Sequence, residues 1–511
     1  MTALGRTRAV SLVGLTGHMI EVEAHLAASV PGFALVGLPD ASLAESRDRV
    51  RAGVTSSGLR WPTRRITVNL SPASLPKAGS SFDLAIAVAV LAGAGECDPA
   101  RVADRVHLGE LGLDGRLRPV RGILPAVAAA VAAGHPRVVV PTANAEEARL
   151  VPGADVWSAA SLAEVAVAHG AELEELPDVE PVPAEGVPPA GGTSLDLSDV
   201  VGQRGARWAI EVAAAGGHHL LMVGPPGAGK TMLAERLPGL LPDLDEAEAV
   251  EVTAVHSVAG TFRPQDGLVH RPPFEGPHHT ATPAAVVGGG SGLPRPGAAS
   301  RAHRGVLFMD EAPEFSPRVL QTLRQPLEEG ELVIHRAGGS ARFPARFQLV
   351  LAANPCPCGL SVGKGLACTC TPQERRRYFA RLSGPLLDRV DLQLEVLPVT
   401  RAERRADVPP ESTAQVAARV AQARAAARAR LAGTPWRTNS EVTGAWLRAR
   451  GGPAAHRDLD RALDSGLLSL RGADRVLRVA WTLADLAGLE RPGPDEVGQA
   501  LVLRTRGQVS G

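Results

Sequence analysis

The sequence predicts an α/β fold built around a phosphate-binding loop, with another α/β domain before it and a helical domain after it. The motif G-x-x-x-x-G-K-T occupies residues 224–231, between an apolar strand and a helical run. Apolar runs at 219–223, 305–309 and 347–352 are typical of a parallel sheet covered on both faces. After residue 398 the chain is rich in alanine and arginine, which favours helices.

The 511 residues are too many for one hydrophobic core and indicate several domains. Strand-like runs at 65–70 and 137–141 alternate with helical runs at 84–91 and 124–133, which predicts an N-terminal α/β domain. We therefore divide the chain into this domain at 1–174, an extended linker rich in proline and acidic residues at 175–192, a phosphate-loop core at 193–400 with a cysteine-rich insert at 356–370, and a helical lid domain at 401–511.

Composition limits the partners and the compartment. The formal net charge is zero, so any contact with nucleic acid must come from a local patch. Four of the five cysteines cluster, which argues against a disulfide framework and for a reducing cytoplasm. The N-terminus lacks a cleavage site typical of a signal peptide, and the longest apolar run, at 84–95, is shorter than the roughly 18 residues that span a bilayer. We expect a cytoplasmic protein with no membrane partner.

The phosphate loop carries the strongest chemical signal. Its residues are Gly224, Pro225, Pro226, Gly227, Ala228, Gly229, Lys230 and Thr231. Glycines let backbone N–H groups turn inward around phosphates, and the following helix N-terminus adds partial positive charge. Lys230 is expected to reach the β and γ phosphates, and the Thr231 hydroxyl to bind Mg2+. The chain has only two other lysines, so this one is not incidental, and we predict an Mg-ATP site.

Two further strands end in polar residues that complete such a site. The run at 305–309 leads into Asp310, a candidate Mg2+ ligand, and Glu311, which would polarise the attacking water. The third strand ends at Asn354, which could position that water near the γ phosphate. The alternative for Asn354 is a turn-forming role before Pro355.

Arginine residues are candidates for stabilising charge in the transition state. Arg389 is the first candidate, supplied to a neighbouring subunit so that hydrolysis depends on assembly. The alternative is a salt bridge with Asp388 or Asp391, and Arg381 is the second candidate.

A second arginine site begins the helix predicted after residue 468. Arg471, in the first turn, could reach the γ phosphate from a small helical lid. Arg475 and Arg478 on the same helix are alternatives.

Read together, these residues resemble the ComM/YifB branch of the magnesium-chelatase-like AAA+ ATPases. The specific segments are 277–280, 287–290, 305–315, 354–359 and 383–389. The resemblance implies an AAA+ P-loop module with helix-2 and pre-sensor insertions, a helical lid and a homo-hexameric ring. It also implies that Asn354 is sensor 1, Arg389 the arginine finger and Arg471 sensor 2. One departure is that Ala298, where the family carries an acidic residue, follows the Pro-Gly pair at 296–297.

The same resemblance implies the function. Members of this branch are DNA helicases that drive branch migration when incoming DNA is integrated during natural transformation. We therefore expect an ATP hydrolase that acts on single-stranded or branched DNA without sequence preference. A magnesium-chelatase-type motor subunit and a chaperone-like protein remodeller are the alternatives.

The N-terminal domain resembles the Lon protease fold. Ser81 matches the nucleophile of that family, but Leu124 stands where its catalytic lysine belongs. A Ser-Lys dyad needs that lysine to take the proton from the serine. We predict a pseudo-protease without peptidase activity.

The cysteine insert is a candidate metal site. Cys356, Cys358, Cys368 and Cys370 form two C-x-C pairs around a glycine-rich loop. Four thiolates could bind one Zn2+ and hold the loop beside Asn354. The alternative is reduced thiols on a glycine-rich insert.

A predicted hairpin at 327–343 is the candidate DNA surface. Arg336 and Arg342 flank its Gly-Gly tip and would contact phosphates in the pore of a ring. A solvated β-turn is the alternative, and the segment 277–280 is either an insert contact or a structural turn. Aromatic residues make up only 3% of the chain, which favours tracking of the DNA backbone over base stacking. The arginines at 419–430 are expected on a solvated helix face.

Overall fold

The computed structural model confirms the predicted mixed α/β class and contains a five-stranded parallel sheet. It describes residues 3–37, 45–75, 77, 79–183, 195–290, 294–336, 339–361, 367–382, 384–404, 410–450, 453–466 and 468–505. Of the predicted linker, residues 175–183 form neither helix nor strand, and 184–192 lie outside the described residues.

The N-terminal region forms a seven-stranded mixed sheet in the order β3-β4-β2-β1-β5-β8-β9, beside a short ribbon of β6 and β7. Its strands are β1 Ala3–Val13, β2 Thr16–Ala27, β3 Gly32–Val36, β4 Arg65–Ser71, β5 Val106–His107, β6 Glu110–Leu111, β7 Leu117–Arg118, β8 Arg137–Pro141 and β9 Asp155–Ala159. Its described helices are Ser46–Ser56, Asp83–Ala94, Pro99–Ala103, Ile123–Ala132, Ala145–Arg149 and Leu162–Ala168. The apolar helix Asp83–Ala94 is buried against β1 and β2, as its composition predicts.

The second sheet is parallel throughout and runs in the order β11-β14-β17-β10-β18. Its strands are β10 Leu220–Val223, β11 Phe274–Glu275, β14 Val306–Met309, β17 Gln348–Ala353 and β18 Leu392–Glu395, while β12 Gly288–Gly289 pairs with β13 Arg295–Pro296 and β15 Glu331–Arg336 pairs with β16 Gly339–Pro344. All residues of β10, β14 and β17 are buried, because helices cover both faces. Parallel strands bring all their carboxyl ends to one edge and all their amino ends to the other.

The helices around this sheet lie on both of its faces. They are Arg204–Gly216, Lys230–Arg236, Glu246–Ala259, Pro283–Val287, Ala298–Arg301, Pro317–Thr322, Arg324–Glu329, Pro372–Ala380 and Gly384–Leu387. The predicted hairpin starts at residue 331 and not at 327, because Leu327 lies in the helix Arg324–Glu329.

The last part of the chain is helical, as its composition predicts. Its described helices are Arg401–Arg404, Thr413–Arg430, Gly444–Arg450, Pro453–Asp464, Leu470–Leu486 and Pro494–Thr505. The helices Thr413–Arg430 and Leu470–Leu486 pack against Arg204–Gly216 and share its hydrophobic core. No helix of the described residues is long and apolar enough to cross a membrane.

The prediction of a solvated arginine face on Thr413–Arg430 is wrong for Arg424 and Arg430, whereas Arg428 is exposed. Arg424 is enclosed and donates to the Ala214 carbonyl, and burial lowers its pKa to about 10. Arg419 pairs with Glu211 at 2.6 Å. These arginines fasten the lid domain to the core, because a guanidinium can satisfy several acceptors at once.

The N-terminal domain contacts the core through the helix Glu246–Ala259. The Ser257 hydroxyl donates to the buried carboxylate of Glu147, which also accepts the backbone N–H of Leu124 at 3.0 Å. Leu124, at the position of the Lon lysine, is only 2% exposed and lies in this packed region. The β1–β2 turn also touches the hairpin, since a Cβ at Gly14 would lie 2.3 Å from the Arg342 carbonyl oxygen.

Candidate nucleotide site and arginine cavity

Lys230 lies at the carboxyl edge of the parallel sheet, within the phosphate loop that follows β10. Its ammonium group donates to the carbonyls of Gly224 at 2.6 Å and Pro225 at 3.0 Å, and to Asn354 Oδ1 at 3.2 Å. The side chain is 8% exposed, and burial lowers its pKa, while Asp310 and Glu311 act in the opposite direction. The lysine is thus held by weak neutral acceptors that a phosphate oxygen could replace.

Thr231 and Asp310 form the second contact at this edge. The Thr231 hydroxyl donates to Asp310 Oδ2 at 2.8 Å. Two oxygen atoms from the ends of neighbouring elements are the type of ligand that Mg2+ prefers, with water and phosphate oxygens filling the remaining positions. The residues present therefore fit Mg2+ bound together with a nucleotide.

Glu311 follows Asp310 in an uncommon backbone conformation with φ of 50°. Its carboxylate is half-exposed, and Oε2 lies 3.2 Å from His279 Nδ1. The His279 ring also lies against that of His278, with 4.1 Å between centroids. His279 therefore orients the predicted catalytic carboxylate, a role that the sequence motif at 277–280 alone did not reveal.

Sequence reasoning also missed two supports of the phosphate loop. The Gln203 amide donates to the Ala228 carbonyl inside the loop, and Gln203 itself has φ of 48°. The second support is Gly359, which packs against the ring of Pro226 in the loop. A positive φ at a non-glycine residue is the kind of feature that only coordinates reveal.

Arg389 lies at the opposite, amino edge of the sheet. It lines a cavity of about 790 Å³ together with Arg471, Arg475, His219 and Gln348, where His219 precedes β10 and Gln348 begins β17. Arg471 is therefore grouped with Arg389 and not with Lys230. No residue of 224–231 is among those lining the cavity.

Nine arginines and seven carboxylates line this cavity, so its arginines are in slight excess. Burial, followed by repulsion from Arg475, Arg324 and Arg471, lowers the pKa of Arg389. Arg389 pairs with Glu328. An incoming anion would offset the repulsion that these neighbouring cations exert on Arg389.

The alternative arginines have internal partners. Arg475 donates to the buried Asp391 at 2.6 Å, and Arg478 donates to the Val442 carbonyl at 2.8 Å. Arg381 pairs with Glu314 at 2.9 Å. Arg389 likewise has an internal partner, Glu328, so internal partners do not separate it from these alternatives.

The four clustered cysteines come together in space. Cys356 Sγ lies 3.3 Å from Cys358 Sγ and 3.6 Å from Cys368 Sγ, and Cys358 and Cys368 are 3.7 Å apart. With Cys370, all four sulfur atoms lie within 4.8 Å of one another. The fifth cysteine, Cys97, is buried in the N-terminal domain.

The predicted DNA hairpin exists as the antiparallel pair β15–β16. Arg342 is well exposed and pairs with Glu331 at 2.8 Å. Arg336 lies at the end of β15, and the tip residues 337 and 338 lie outside the described residues.

The N-terminal residues predicted from the Lon resemblance do not form a Ser-Lys pair among the contacts of the described residues. Ser81 is half-buried beside the helix Asp83–Ala94. Lys77 is buried and donates to the carbonyls of Gly37, at 3.0 Å, and Pro72, and burial lowers its pKa. Pro76 and Ala78, also quoted for that resemblance, lie outside the described residues.

The parallel sheet, the phosphate loop at its carboxyl edge and the helical region after it define an α/β protein of the AAA+ class. Residues 196–404 match the family described as magnesium chelatase, subunit ChlI, residues 22–144 match subunit ChlI of Mg-chelatase, and residues 410–504 match the C-terminal part of that subunit.

Similar proteins cover nearly the whole chain. An uncharacterised protein of Mycobacterium tuberculosis strain H37Rv is 53% identical over 99% of both chains. Competence protein ComM of Haemophilus influenzae is 41% identical over 96% of both chains, and the uncharacterised protein YifB of Escherichia coli K12 is 41% identical over 93% of this chain and 92% of its own. The chain belongs to the ComM/YifB family of magnesium-chelatase-like AAA+ proteins, as its motifs predict.

Proposed function

We propose that this protein is a cytoplasmic AAA+ motor that hydrolyses Mg-ATP and works on DNA as a homo-hexameric ring. The observation that supports it most is the meeting of Lys230, Thr231, Asp310 and Asn354 at one edge of the parallel sheet. In this arrangement Lys230 holds the phosphates, Thr231 and Asp310 hold Mg2+, and Asn354 orients water. Glu311 accepts the proton of that water, which attacks the γ phosphate as the bond to ADP breaks.

The ring follows from the position of the arginines. Arg389 and Arg471 line a cavity at the amino edge, opposite to the edge that carries Lys230. They therefore serve the nucleotide of an adjacent subunit, which makes hydrolysis depend on assembly. Arg471 acts on this view as a sensor in trans, which reaches the γ phosphate of the adjacent subunit.

Mixing two inactive variants tests this arrangement. Arg389→Ala subunits keep the phosphate loop, and Lys230→Ala subunits keep the arginines. An equal mixture is expected to restore activity at about one quarter of the subunit junctions, since only one order of neighbours combines the two intact halves. Activity of either variant alone at the wild-type rate would contradict the proposal.

Two observations support DNA as the polymer. The relative in Haemophilus influenzae carries the name competence protein ComM. The hairpin presents the exposed Arg342, whose guanidinium can contact phosphates without reading sequence. Together with Arg336, Arg342 would line the pore of the ring and follow the backbone of a DNA strand as the strand passes from one subunit to the next.

The competing candidate is a motor subunit of a chelatase, favoured by the family match of residues 196–404. A chaperone-like remodeller is the third. Measuring ATP turnover of the assembled protein with and without single-stranded or branched DNA separates them, together with movement of a model junction. If DNA neither binds nor changes turnover, the DNA proposal fails while the ATPase proposal stands.

The ions follow from the donor atoms. Mg2+ suits the oxygen ligands of Thr231 and Asp310. We propose Zn2+ for the four cysteines, because clustered thiolates favour it over Mg2+. The N-terminal domain is proposed to lack peptidase activity, supported by the packed Leu124 at the lysine position. Serine-dependent casein cleavage by the purified protein would overturn that last point.

A further inference from the structure

The cysteine cluster lies next to the residue that contacts the phosphate-loop lysine. Cys356 is two residues after Asn354, whose side chain accepts from Lys230 at 3.2 Å. Cys356 is buried. It follows closely after the end of β17, so the chain enters the cluster directly from that strand. A group that fixes the Cys356 sulfur also restrains the backbone of Asn354.

A second contact joins the cluster to the phosphate loop itself. Gly359 follows Cys358, and its N–H donates to the Cys356 carbonyl at 3.0 Å. A Cβ on Gly359 would lie 2.7 Å from Cδ of Pro226, and its φ of 75° suits glycine. The backbone of the cysteine loop is therefore packed against the phosphate loop at a distance that excludes any side chain.

The helix Pro372–Ala380 closes the far side of the cluster. It starts just after Cys370 with Thr371 as its cap, in a reciprocal bond with Glu374. Tyr378 on this helix is 3% exposed, and its hydroxyl lies near the backbone of Asn354. Both ends of the cysteine loop are thus anchored beside Asn354.

The sulfur positions suit a tetrahedral ion. Zn–S bonds of about 2.3 Å require sulfur atoms about 3.8 Å apart in a tetrahedron. The three separations given above, among Cys356, Cys358 and Cys368, range from 3.3 to 3.7 Å. Small outward movements would admit the ion, with release of the thiol protons to solvent.

We infer that Zn2+ held by the four cysteines braces the ATP site, holding Pro226 and Asn354 in place for hydrolysis. The inference rests on the proposed ATPase function. The ion takes no part in the chemistry. It holds the cysteine loop in place, so that this loop supports the phosphate loop at Pro226, in addition to the contact of Gln203 with Ala228. Loss of the ion lowers turnover more than nucleotide affinity, because Lys230 and the loop backbone still bind phosphates.

The experiment compares the wild-type chain with the double variant Cys368→Ser/Cys370→Ser and with the matched control Cys97→Ser. Zinc is measured by elemental analysis, thiolate ligation by the absorption of the Co2+-substituted protein, and ATP by affinity and turnover. We expect one zinc per chain in the wild type and in the control, and none in the double variant. In the double variant kcat falls about tenfold or more, with ATP affinity within about threefold of the wild type.

The variant Gly359→Ala tests the contact without touching a ligand. It keeps all four thiols, so its zinc content is expected to stay at the wild-type value while kcat falls. Leu360→Ala, at an exposed residue of the same loop, is the control and leaves both unchanged. If the double variant fails to fold, removal of zinc from the wild type by a chelator and its restoration provide the same comparison.

The outcomes are distinct. A wild-type protein without zinc overturns the site, and a zinc-free protein with unchanged kcat overturns the brace. A wild-type protein that holds zinc but hydrolyses no ATP overturns the proposed ATPase function. In that case the zinc site is still judged by the zinc content, and the bracing role, which acts on kcat, falls together with the ATPase function.

Discussion

The two edges of the five-stranded sheet carry opposite halves of one proposed reaction site. The carboxyl edge holds an ammonium group bonded to Asn354, a hydroxyl bonded to the Asp310 carboxylate, and a second carboxylate, that of Glu311, beside His279. The amino edge holds arginines that crowd one another and lower the pKa of Arg389. In the proposed ring the two edges complement each other, so catalysis would belong to the junction of two subunits and not to one chain.

The largest expected effect is on the carboxyl edge. Lys230→Ala removes the cation that contacts the phosphates, and we expect ATP turnover to fall by about a hundredfold or more. Phosphate release measures it. The control Arg342→Ala keeps basal turnover without DNA, because Arg342 lies on the hairpin. Normal turnover in Lys230→Ala would remove the basis of the proposed function.

The amino edge is tested next. Arg389→Ala is expected to lower turnover about a hundredfold while ATP affinity changes little, because the arginine acts on the nucleotide of the neighbour. The dependence of turnover on protein concentration, which reports on assembly, is the second measurement. A defect that is independent of assembly, or one confined to ATP affinity, would make the two edges independent of each other.

The buried carboxylate of Asp391, which accepts a hydrogen bond from Arg475, allows stability to be tested separately from catalysis. Burial alone would raise the pKa of Asp391, but the hydrogen bond with His218 and the charge of Arg475 hold it well below its ordinary value. This stabilisation is present above the unfolded pKa, about 3.9, and is lost as the pH falls through the lower folded value. Asp391→Asn is expected to reduce the free energy of unfolding at pH 7 by about 3 kcal/mol. Denaturant unfolding at neutral pH measures the loss, and an unchanged midpoint contradicts it.

A smaller effect is expected at His279. Its loss frees the Glu311 carboxylate, so His279→Ala should lower kcat about tenfold at unchanged KM for ATP. His279→Gln keeps a donor and is expected to recover most of the rate. His278→Ala, the neighbouring ring without a contact to Glu311, is the matched control. Equal effects of the two alanine variants would point to a folding defect of the segment 277–280.

The smallest effect concerns the hairpin. Arg342→Ala is expected to reduce DNA-stimulated turnover a few-fold, about 1 kcal/mol for one lost phosphate contact, and to make stimulation less sensitive to salt. Turnover across a salt series with single-stranded DNA measures it. An unchanged salt dependence would place the DNA path elsewhere than the hairpin.

Short sequence motifs and apolar runs predicted much of the fold and the phosphate loop, for a physical reason. A phosphate loop needs glycines and a lysine at fixed spacing, so its chemistry is written in adjacent residues. Strands that are buried on both faces must be apolar throughout, which located β10, β14 and β17 to within one residue. The arginines on Thr413–Arg430 were misjudged because their partners, such as Ala214 and Glu211, lie about 200 residues away.

The sequence by itself determined the family, the α/β class and the identity of the residues proposed to bind Mg-ATP, since these depend on short motifs and on strand ends. Tertiary structure alone decided that Arg471 joins Arg389 at the edge opposite to Lys230, that His279 holds Glu311, and that Gly359 packs against Pro226. Each of these contacts depends on how distant segments pack around the sheet, and the spacing of residues along the sequence does not indicate that packing.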